Sequence, residues 1–243
     1  MSEPSSQPPT IGAFYQCYRQ PKALFGAISS FRKYYPASDI YMICDGGDDH
    51  SAVAKRFGCT YIHETAHLGN ETSTVFETPD KMIVYLKRLR EAAGHIKEDY
   101  VLLMEDDVLT MGTVSERLRY TVNGVNKGVH FGMKMTAFLK GRTRSIPFWT
   151  LRYFWGAFGG CLIDRKFIVE HFNDIDADIA ELRKHMRKEL PYSTDIWITL
   201  LTLYHGGSIG QYKGLCETWW QDYQERLKRG DVAFLHKYKD LYE

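Results

Sequence analysis

The chain has 243 residues, 44% of them hydrophobic, which is enough for a substantial core in a single α/β domain. Its 31 Lys and Arg residues balance 30 Asp and Glu residues, so no overall charge draws it to nucleic acid or anionic lipid. No apolar run reaches the ~18 residues of a membrane span, and residues 1–10 are polar rather than signal-like. We therefore expect a cytoplasmic protein with a disordered tail over residues 1–10.

The first half of the chain alternates strand patterns with helix patterns. A short apolar run, IGAFYQCY from Ile11, predicts a strand, and KALFGAISSFRKYY after Pro21 repeats apolar residues at helical spacing. DIYMIC predicts a second strand, SAVAKRFG a short helix closed by Gly58, and CTYIH a third strand. Such alternation is typical of parallel sheets with helical crossovers.

The third predicted strand runs into a zinc-protease motif. His63, Glu64 and His67 spell HExxH, which binds zinc only when both histidines lie on one continuous helix. His63 instead ends a strand pattern, and Gly69 and Asn70 break the chain soon after His67. The context favours a strand end followed by a polar loop.

The next helix and strand have clear boundaries. Thr78, Pro79 and Asp80 provide a cap, a favourable first residue and a carboxylate near the positive end of a helix. YVLLMEDDVL then reads as a buried strand that ends in the consecutive carboxylates Glu105, Asp106 and Asp107. In a doubly wound sheet, such strand ends meet at the edge where ligands bind.

The second half of the chain shows a different order of elements. Strand patterns lie at GVHFGMKMTAFL and WGAFGGCLI, and helix patterns at DRKFIVEHF, DADIAELRKHMRKEL and STDIWITLLTLYH. We expect one α/β domain over residues 11–243, with a doubly wound, mixed but mostly parallel sheet flanked by helices. Its two halves are 11–121 and 122–243.

The acidic run predicts a metal site. Three adjacent negative charges after a buried strand repel one another unless a cation or hydrogen-bond donors lie opposite. Oxygen ligands suit Mg²⁺ or Mn²⁺, which keep coordination positions open for phosphate groups. The alternative is an exposed acidic turn. The apolar residues directly before Glu105 argue against it.

Several short motifs together resemble the GT-A family of nucleotide-sugar-dependent glycosyltransferases. YVLLMEDDV is similar to the family's DXD motif, and CYRQPKALFGAISSFRKYYPASDIYMICDGGDD resembles its opening unit. WGAFGGCLIDRKFI is similar to its glycine-bearing acceptor loop, YSTDIWI to its later acidic motif, and DVAFLHKY to its C-terminal histidine motif. The order and spacing of these motifs make the resemblance more specific than any one of them.

The resemblance implies a role for individual residues. Asp107 and His236 would bind the metal, and Asp195 would be the general base of an inverting reaction, although Asp195 also fits a simple helix start. The residues implied to surround the nucleotide, ribose or diphosphate are Tyr15, Arg19, Asp45, Glu105 and Asp106.

Glycines and tryptophans complete the predicted site. Gly159 and Gly160 suggest a close backbone approach to the donor sugar, or merely a bulge. Trp155, Trp219 and Trp220 could offer flat faces to an acceptor sugar, although such residues also occur in cores.

The resemblance implies a GT-A-like fold and a metal-dependent transfer of a hexosyl or pentosyl group, with Mn²⁺ or Mg²⁺. The donor would be a nucleotide sugar, most plausibly a UDP-sugar, and the acceptor a hydroxyl of a glycan or another molecule. Two alternatives are a nucleotidyltransferase acting on sugar phosphates and a non-catalytic carbohydrate-binding domain of the same fold. The first normally has a glycine-rich loop after its first strand, which YRQPKAL lacks. The five cysteines include no CxxC pair and fit a reducing compartment.

Overall fold

The computed structural model describes most of the chain. The described residues are 8–68, 75–76, 78–124, 127–129, 136–139, 142–145, 153–155, 157, 159–184, 192–218 and 220–236. Within them, no helix combines the length and the apolar character needed to cross a membrane. Residues 1–7 of the predicted tail lie outside these ranges, whereas Thr10 is already fixed by hydrogen bonds to Asp99.

The first six helices of the described residues occupy the positions that the sequence patterns predict, whereas the last one was not predicted. Thr78 caps the third helix by accepting a hydrogen bond from the Lys81 amide at 3.5 Å, and Gly58 ends the second helix with a left-handed φ of 62°. The helices of the described residues are α1 (Pro21–Tyr34), α2 (Ser51–Phe57), α3 (Pro79–His95), α4 (Arg165–His171), α5 (Ile175–Lys184), α6 (Thr194–Tyr204) and α7 (Tyr223–Arg229).

Strands are shorter in the second half of the chain than in the first. They are β1 (Ile11–Cys17), β2 (Ile40–Asp45), β3 (Thr60–Glu64), β4 (Val75–Phe76), β5 (Tyr100–Met104), β6 (Leu109–Thr110), β7 (Val122–Gly124), β8 (Lys127–Val129), β9 (Thr136–Leu139), β10 (Arg142–Ser145), β11 (Tyr153–Trp155), β12 (Leu162–Asp164), β13 (Tyr192–Ser193), β14 (Ile209–Gln211), β15 (Leu215–Glu217) and β16 (Phe234–His236).

The main sheet has the order β14-β7-β12-β5-β1-β2-β3. The strands β5, β1, β2 and β3 are parallel neighbours, as are β7 and β14, whereas β12 runs antiparallel to both β5 and β7. The sheet is thus mixed and mostly parallel, as predicted. Because β7, β12 and β14 come from residues 122–243, both predicted halves contribute to this one sheet.

Helices cover both faces of the sheet. One face packs against α1 and α2 through residues such as Leu24, Ile28 and Phe31, and the other packs against α3, α4, α5 and α6 through residues such as Met82 and Trp197. This arrangement confirms the doubly wound α/β fold. It also places the carboxyl ends of β1, β2 and β5 at one common edge.

The segment WGAFGGCLI differs from the single strand that its apolar residues predict. β11 ends at Trp155 and β12 begins only at Leu162, and Gly159 and Gly160 lie in a turn between them. Gly160 has a φ of 86°, a conformation that favours glycine over residues with a Cβ atom. The turn brings the backbone toward the carboxyl end of β5.

Candidate active site

The acidic run lies in the turn after β5. The strand ends at Met104, and the amide of Val108 donates a hydrogen bond to the carbonyl of Glu105 at 3.1 Å, which closes the turn. The side chain of Glu105 is 33% exposed, whereas that of Asp107 is only 10% exposed. The turn therefore holds charged groups that are partly removed from water.

Pairing of β16 with β6 brings His236 to this turn. Leu235 is the register partner of Leu109, only two residues after Asp107. The Nε2 atom of His236 lies 3.5 Å from Oε2 of Glu105 and 3.6 Å from Oδ1 of Asp107. Residues far apart in the sequence thus form one cluster, which we call the carboxylate site: Glu105, Asp107 and His236.

A second buried carboxylate lies behind the imidazole. Glu217 is the register partner of His236 across β15 and β16, and its side chain is 0% exposed. The Nδ1 atom of His236 lies 3.1 Å from Oε1 of Glu217, and an N–H at Nδ1 would donate to that oxygen. This bond leaves Nε2 facing Glu105 and Asp107, which is the orientation that a metal-binding histidine requires.

The charges around His236 produce a strongly negative environment. Burial opposes protonation of the imidazole, but the carboxylates of Glu105, Glu217 and Asp107 outweigh it and raise the pKa of His236 to about 9. One imidazolium cannot balance three carboxylates. The electrostatics therefore favour a bound cation.

The ligand atoms also fit a divalent cation. One oxygen from Glu105, one from Asp107 and one ring nitrogen from His236 all lie within 4.8 Å of one another. Carboxylate oxygens suit Mg²⁺ and Mn²⁺, and the imidazole shifts that preference toward Mn²⁺. The structure thus brings the predicted metal ligands Asp107 and His236 together with Glu105.

Asp106 points to a different neighbour from Asp107. Tyr15, a buried residue of β1, donates a short hydrogen bond from its hydroxyl to Oδ1 of Asp106. Burial raises the pKa of Asp106 to about 6, and the charges of Asp107 and Glu105 act in the same direction. Two predicted donor-binding residues, Tyr15 and Asp106, thus lie together beside the carboxylate site.

The Gly159–Gly160 turn packs directly against the carboxylate site. A Cβ atom at Gly159 would lie 2.7 Å from Cδ of Glu105 and 2.9 Å from Cγ2 of Val108, so an added side chain would force these neighbours to shift. The amide of Gly160 donates to the carbonyl of Leu103 at 2.7 Å, which anchors the turn to β5. Glycine at position 159 is therefore needed to make room for the Glu105 side chain.

Asp195 lies in the first turn of α6 and is buried. Its Oδ1 accepts a hydrogen bond at 2.9 Å from the amide of Ile196. Burial is the main cause that raises the pKa of Cys161, and the negative charges of Glu105 and Asp195 act in the same direction. Cys161 thus lies within electrostatic range of both carboxylates, one from each half of the chain.

Asp45 makes extensive contacts with protein groups. Its Oδ1 accepts from Nη1 of Arg88 at 2.6 Å, and its Oδ2 accepts from the amide of Leu68 at 3.0 Å and lies 3.1 Å from Nδ1 of His67. Arg88 also donates to Gln16 at 2.9 Å. This buried network joins β1, β2 and α3 to the loop after β3, an arrangement that the Asp-Gly turn motif does not reveal.

Arg19 is exposed in the loop after β1. Its guanidinium carbon lies 4.7 Å from the ring centroid of Tyr18, which also stacks on His67 with a centroid separation of 4.0 Å. His63 lies within β3 and His67 in the loop beyond it, so the two histidines do not share a helix. The expected strand end followed by a polar loop is confirmed.

The predicted acceptor tryptophans are described to different extents. Trp155 ends β11, but its side chain lies outside the described part of the structure, as does the whole of Trp219. Trp220 is partly buried and packs against Arg226, whose guanidinium carbon is 5.1 Å from the ring centroid. Its amide donates to the carbonyl of Glu217 at 3.1 Å, which ties it to the segment behind the carboxylate site.

Sequence reasoning missed Glu217. The signal was a lone acidic residue in the apolar stretch GLCETWW, because a buried carboxylate needs a partner of opposite charge or a hydrogen-bond donor. That signal identifies a buried acid without naming its partner. The parallel pairing of β15 with β16 supplies the partner.

Comparison with known proteins supports the fold. The sequence matches no family model and no curated protein. Among solved structures, an active-site mutant of LgtC is similar with a TM-score of 0.54 and 15% identity, over 93% of this chain and 86% of that chain. The galactosyltransferase LgtC in complex with donor and acceptor sugar analogs is similar with a TM-score of 0.51 and 13% identity, over the same shares of both chains. The chain therefore has the GT-A fold of these structures.

Proposed function

We propose that the protein is a glycosyltransferase that moves a sugar from a nucleotide-sugar donor to a hydroxyl group of an acceptor. The observation that carries this proposal is the carboxylate site, where Glu105, Asp107 and His236 converge at the ligand-binding edge of the sheet. The shared fold with a galactosyltransferase that was crystallised with donor and acceptor sugar analogs supports it. A UDP-sugar is the proposed donor.

The carboxylate site would hold Mn²⁺ or Mg²⁺ through Glu105, Asp107 and His236. Such an ion supplies positive charge that offsets the negative charge developing on the leaving diphosphate. Glu217 keeps the His236 ring oriented through the bond at Nδ1, so that Nε2 remains directed toward the two carboxylates. Tyr15 holds Asp106 beside the same turn, next to the proposed ribose and diphosphate region.

Asp195 is the proposed general base. Its carboxylate would take the proton from the acceptor hydroxyl while that oxygen forms a bond to the anomeric carbon of the donor sugar. The bond from the anomeric carbon to the diphosphate breaks in the same step, and the nucleoside diphosphate leaves. Attack opposite to the leaving group inverts the anomeric configuration, which is the proposed stereochemistry.

Other predicted residues have supporting roles in this proposal. The cation of Arg19 would pair with the diphosphate or a base carbonyl, and the buried network of Asp45 would hold the nucleotide-binding edge in shape. Gly159 and Gly160 would let the donor sugar approach the backbone beside Glu105. Trp155, Trp219 and Trp220 remain predicted acceptor contacts.

A thermal-shift panel tests the donor and the metal together. UDP-, GDP-, CMP- and dTDP-sugars are added with and without Mn²⁺, and a ligand at 100 times its Kd should stabilise the protein by about 2.7 kcal/mol. We expect the largest rise in Tm with a UDP-sugar and Mn²⁺, and none in the Asp107→Asn variant.

Product analysis then separates an enzyme from a binding module. Transfer or hydrolysis of the stabilising donor is followed by NMR, which also reports the anomeric configuration of the product. Stabilisation by free sugars without any metal requirement, and without turnover, would overturn the proposal in favour of a carbohydrate-binding domain. Retention of configuration would overturn only the role given to Asp195.

A further inference from the structure

A second group of metal-binding side chains lies at the ends of β1 and β2. Cys17 and Cys44 are register partners on these two adjacent parallel strands, and His50 directly precedes α2. We call Cys17, Cys44 and His50 the thiol cluster. Its members are 3%, 0% and 4% exposed. The proposed glycosyltransfer reaction uses none of them.

The geometry of the thiol cluster fits a tetrahedral metal ion. Both Sγ atoms and one ring nitrogen of His50 lie within 4.8 Å of one another. Zinc bond lengths place two tetrahedral sulfur ligands about 3.8 Å apart and a sulfur and a nitrogen about 3.5 Å apart. Small side-chain shifts would therefore suffice to bring all three ligands around one ion.

Backbone carbonyl groups currently satisfy the same side chains. The Cys44 thiol donates to the Asp48 carbonyl at 3.0 Å, the Cys17 thiol donates to the Ile43 carbonyl at 3.5 Å, and Nε2 of His50 lies 3.0 Å from the Tyr18 carbonyl. The Tyr18 oxygen is also 3.8 Å from Sγ of Cys44. The Tyr18 carbonyl oxygen thus lies next to both the His50 imidazole and the Cys44 thiol.

A metal ion would also replace the thiol protons of the cluster. Thiolates, rather than thiols, bind metal ions, and a buried thiolate needs a positive charge nearby. The neighbouring imidazole of His50 can meet that need only in its protonated form, whereas a bound cation meets it directly.

We propose that Cys17, Cys44 and His50 form a binding site for a thiophilic cation, Zn²⁺, separate from the carboxylate site. Two thiolates and an imidazole suit Zn²⁺ and disfavour Mg²⁺ and Mn²⁺, which prefer oxygen ligands. The ion would join the ends of β1 and β2 to the start of α2 and so fix the edge of the sheet. Because the ligands are buried, the site is filled as the chain folds.

Refolding with a single added metal tests this site. The full chain is unfolded in denaturant with a chelator and a reductant, then refolded with Zn²⁺ or with Co²⁺ as a spectroscopic probe. We expect one equivalent of tightly held Zn²⁺ by elemental analysis, and a thiolate-to-cobalt charge-transfer band with Co²⁺. A higher Tm after refolding with Zn²⁺ should accompany both signals.

Matched variants locate the ion. Cys44→Ser and His50→Gln should each lower Zn²⁺ affinity at least tenfold and weaken the charge-transfer band. Cys59→Ser removes a thiol outside the cluster, and Asp107→Asn removes a carboxylate from the other site, so both should keep the band. The glutamine at position 50 retains a donor for the Tyr18 carbonyl. His50→Gln should therefore fold, and it still tests the site if Cys44→Ser misfolds.

Three results would overturn the proposal. The first is the absence of bound zinc and of a cobalt band in the refolded protein. The second is a band of full strength in His50→Gln and Cys44→Ser, which would place the thiolate ligands elsewhere. The third is a Cys17–Cys44 disulfide in protein purified without oxidant, detected by mass spectrometry as the loss of two hydrogens, because it would leave no thiolates for a metal.

Discussion

The carboxylate site and the thiol cluster both gather side chains that can bind metal ions near the carboxyl ends of the parallel strands, yet they differ in chemistry and in origin. The first offers oxygens and one imidazole from chain segments far apart, and Glu105 leaves it partly open to solvent. The second offers two sulfurs from adjacent strands and one imidazole from the residue before α2, and it is buried throughout. An open oxygen-rich site suits an exchangeable ion and a phosphate ligand, whereas a closed thiol site suits a permanent ion.

The largest expected effect comes from a substitution at Asp107, which should impair the carboxylate site and leave the thiol cluster unchanged. Asp107→Asn removes a charged metal ligand, so kcat/KM for sugar transfer should fall about 1000-fold, equivalent to about 4 kcal/mol. Initial rates over a Mn²⁺ titration measure the loss, and the zinc content should remain unchanged. The control is Asp176→Asn, since this exposed carboxylate pairs only with Lys87 among the contacts described. Undiminished transfer by Asp107→Asn would place the catalytic metal elsewhere.

Asp195 gives the next largest effect and should leave both metal sites intact. Asp195→Asn removes the proposed base but keeps an oxygen for the Ile196 amide, so kcat should fall about 100-fold. Affinity for Mn²⁺ and for the donor should change little, as measured by calorimetry. A normal kcat would show that Asp195 only stabilises the start of α6, the alternative role that its sequence context also allows.

The sequence predicts the first half of the fold well because its signals are local. The elements α1, β2, α2, β3, α3 and β5 each follow from apolar periodicity and from caps such as Thr78 or turns such as Gly58. The short strands β6, β15 and β16 each cover only two or three residues and carry no such periodicity. They are fixed by tertiary pairing, so sequence patterns could not place them.

The candidate site shows the same division between local and distant signals. Glu105, Asp106 and Asp107 could be predicted because three charges follow an apolar strand. His236 was identified only through a resemblance, since its approach depends on the pairing of β16 with β6. The thiol cluster was missed because the cysteines form no CxxC pair, and only the register of β1 and β2 brings Cys17 and Cys44 together.

Glu217 tests how far the carboxylate site depends on a residue outside its metal ligands. Glu217→Gln keeps an oxygen acceptor for Nδ1 of His236 but removes the charge, so Mn²⁺ affinity should fall about 10-fold to 30-fold. Competition with a chelator measures the affinity, and kcat at saturating Mn²⁺ should be less affected. Glu225→Gln, at an exposed position of α7, is the control. Equal affinities would leave Glu217 a role in packing alone.

Gly159 tests the space around Glu105. A methyl group there would lie 2.7 Å from Cδ of Glu105, so Gly159→Ala should displace that carboxylate and lower activity about fivefold, with a stability loss of about 1–3 kcal/mol. Gly94→Ala is a matched control, because no atom lies within 4 Å of its added Cβ and alanine favours the α3 helix. Both are compared by Mn²⁺-dependent rates and thermal melts. An active, stable Gly159→Ala variant would show that small shifts of the turn accommodate the added methyl group.

The smallest expected effect is a pH dependence confined to the carboxylate site of the metal-free protein. The pKa of His236 is raised from 6.5 to about 9 in the folded chain, so the folded state binds the proton more tightly than the unfolded state. The resulting stabilisation is complete below pH 6.5 and is lost as the pH rises through 9. Tm of the metal-free protein should therefore decline over this interval, and His236→Gln should flatten the decline. Because Mn²⁺ and the proton compete for Nε2, stabilisation by Mn²⁺ should grow over the same interval, and parallel curves with and without Mn²⁺ would exclude His236 as a ligand.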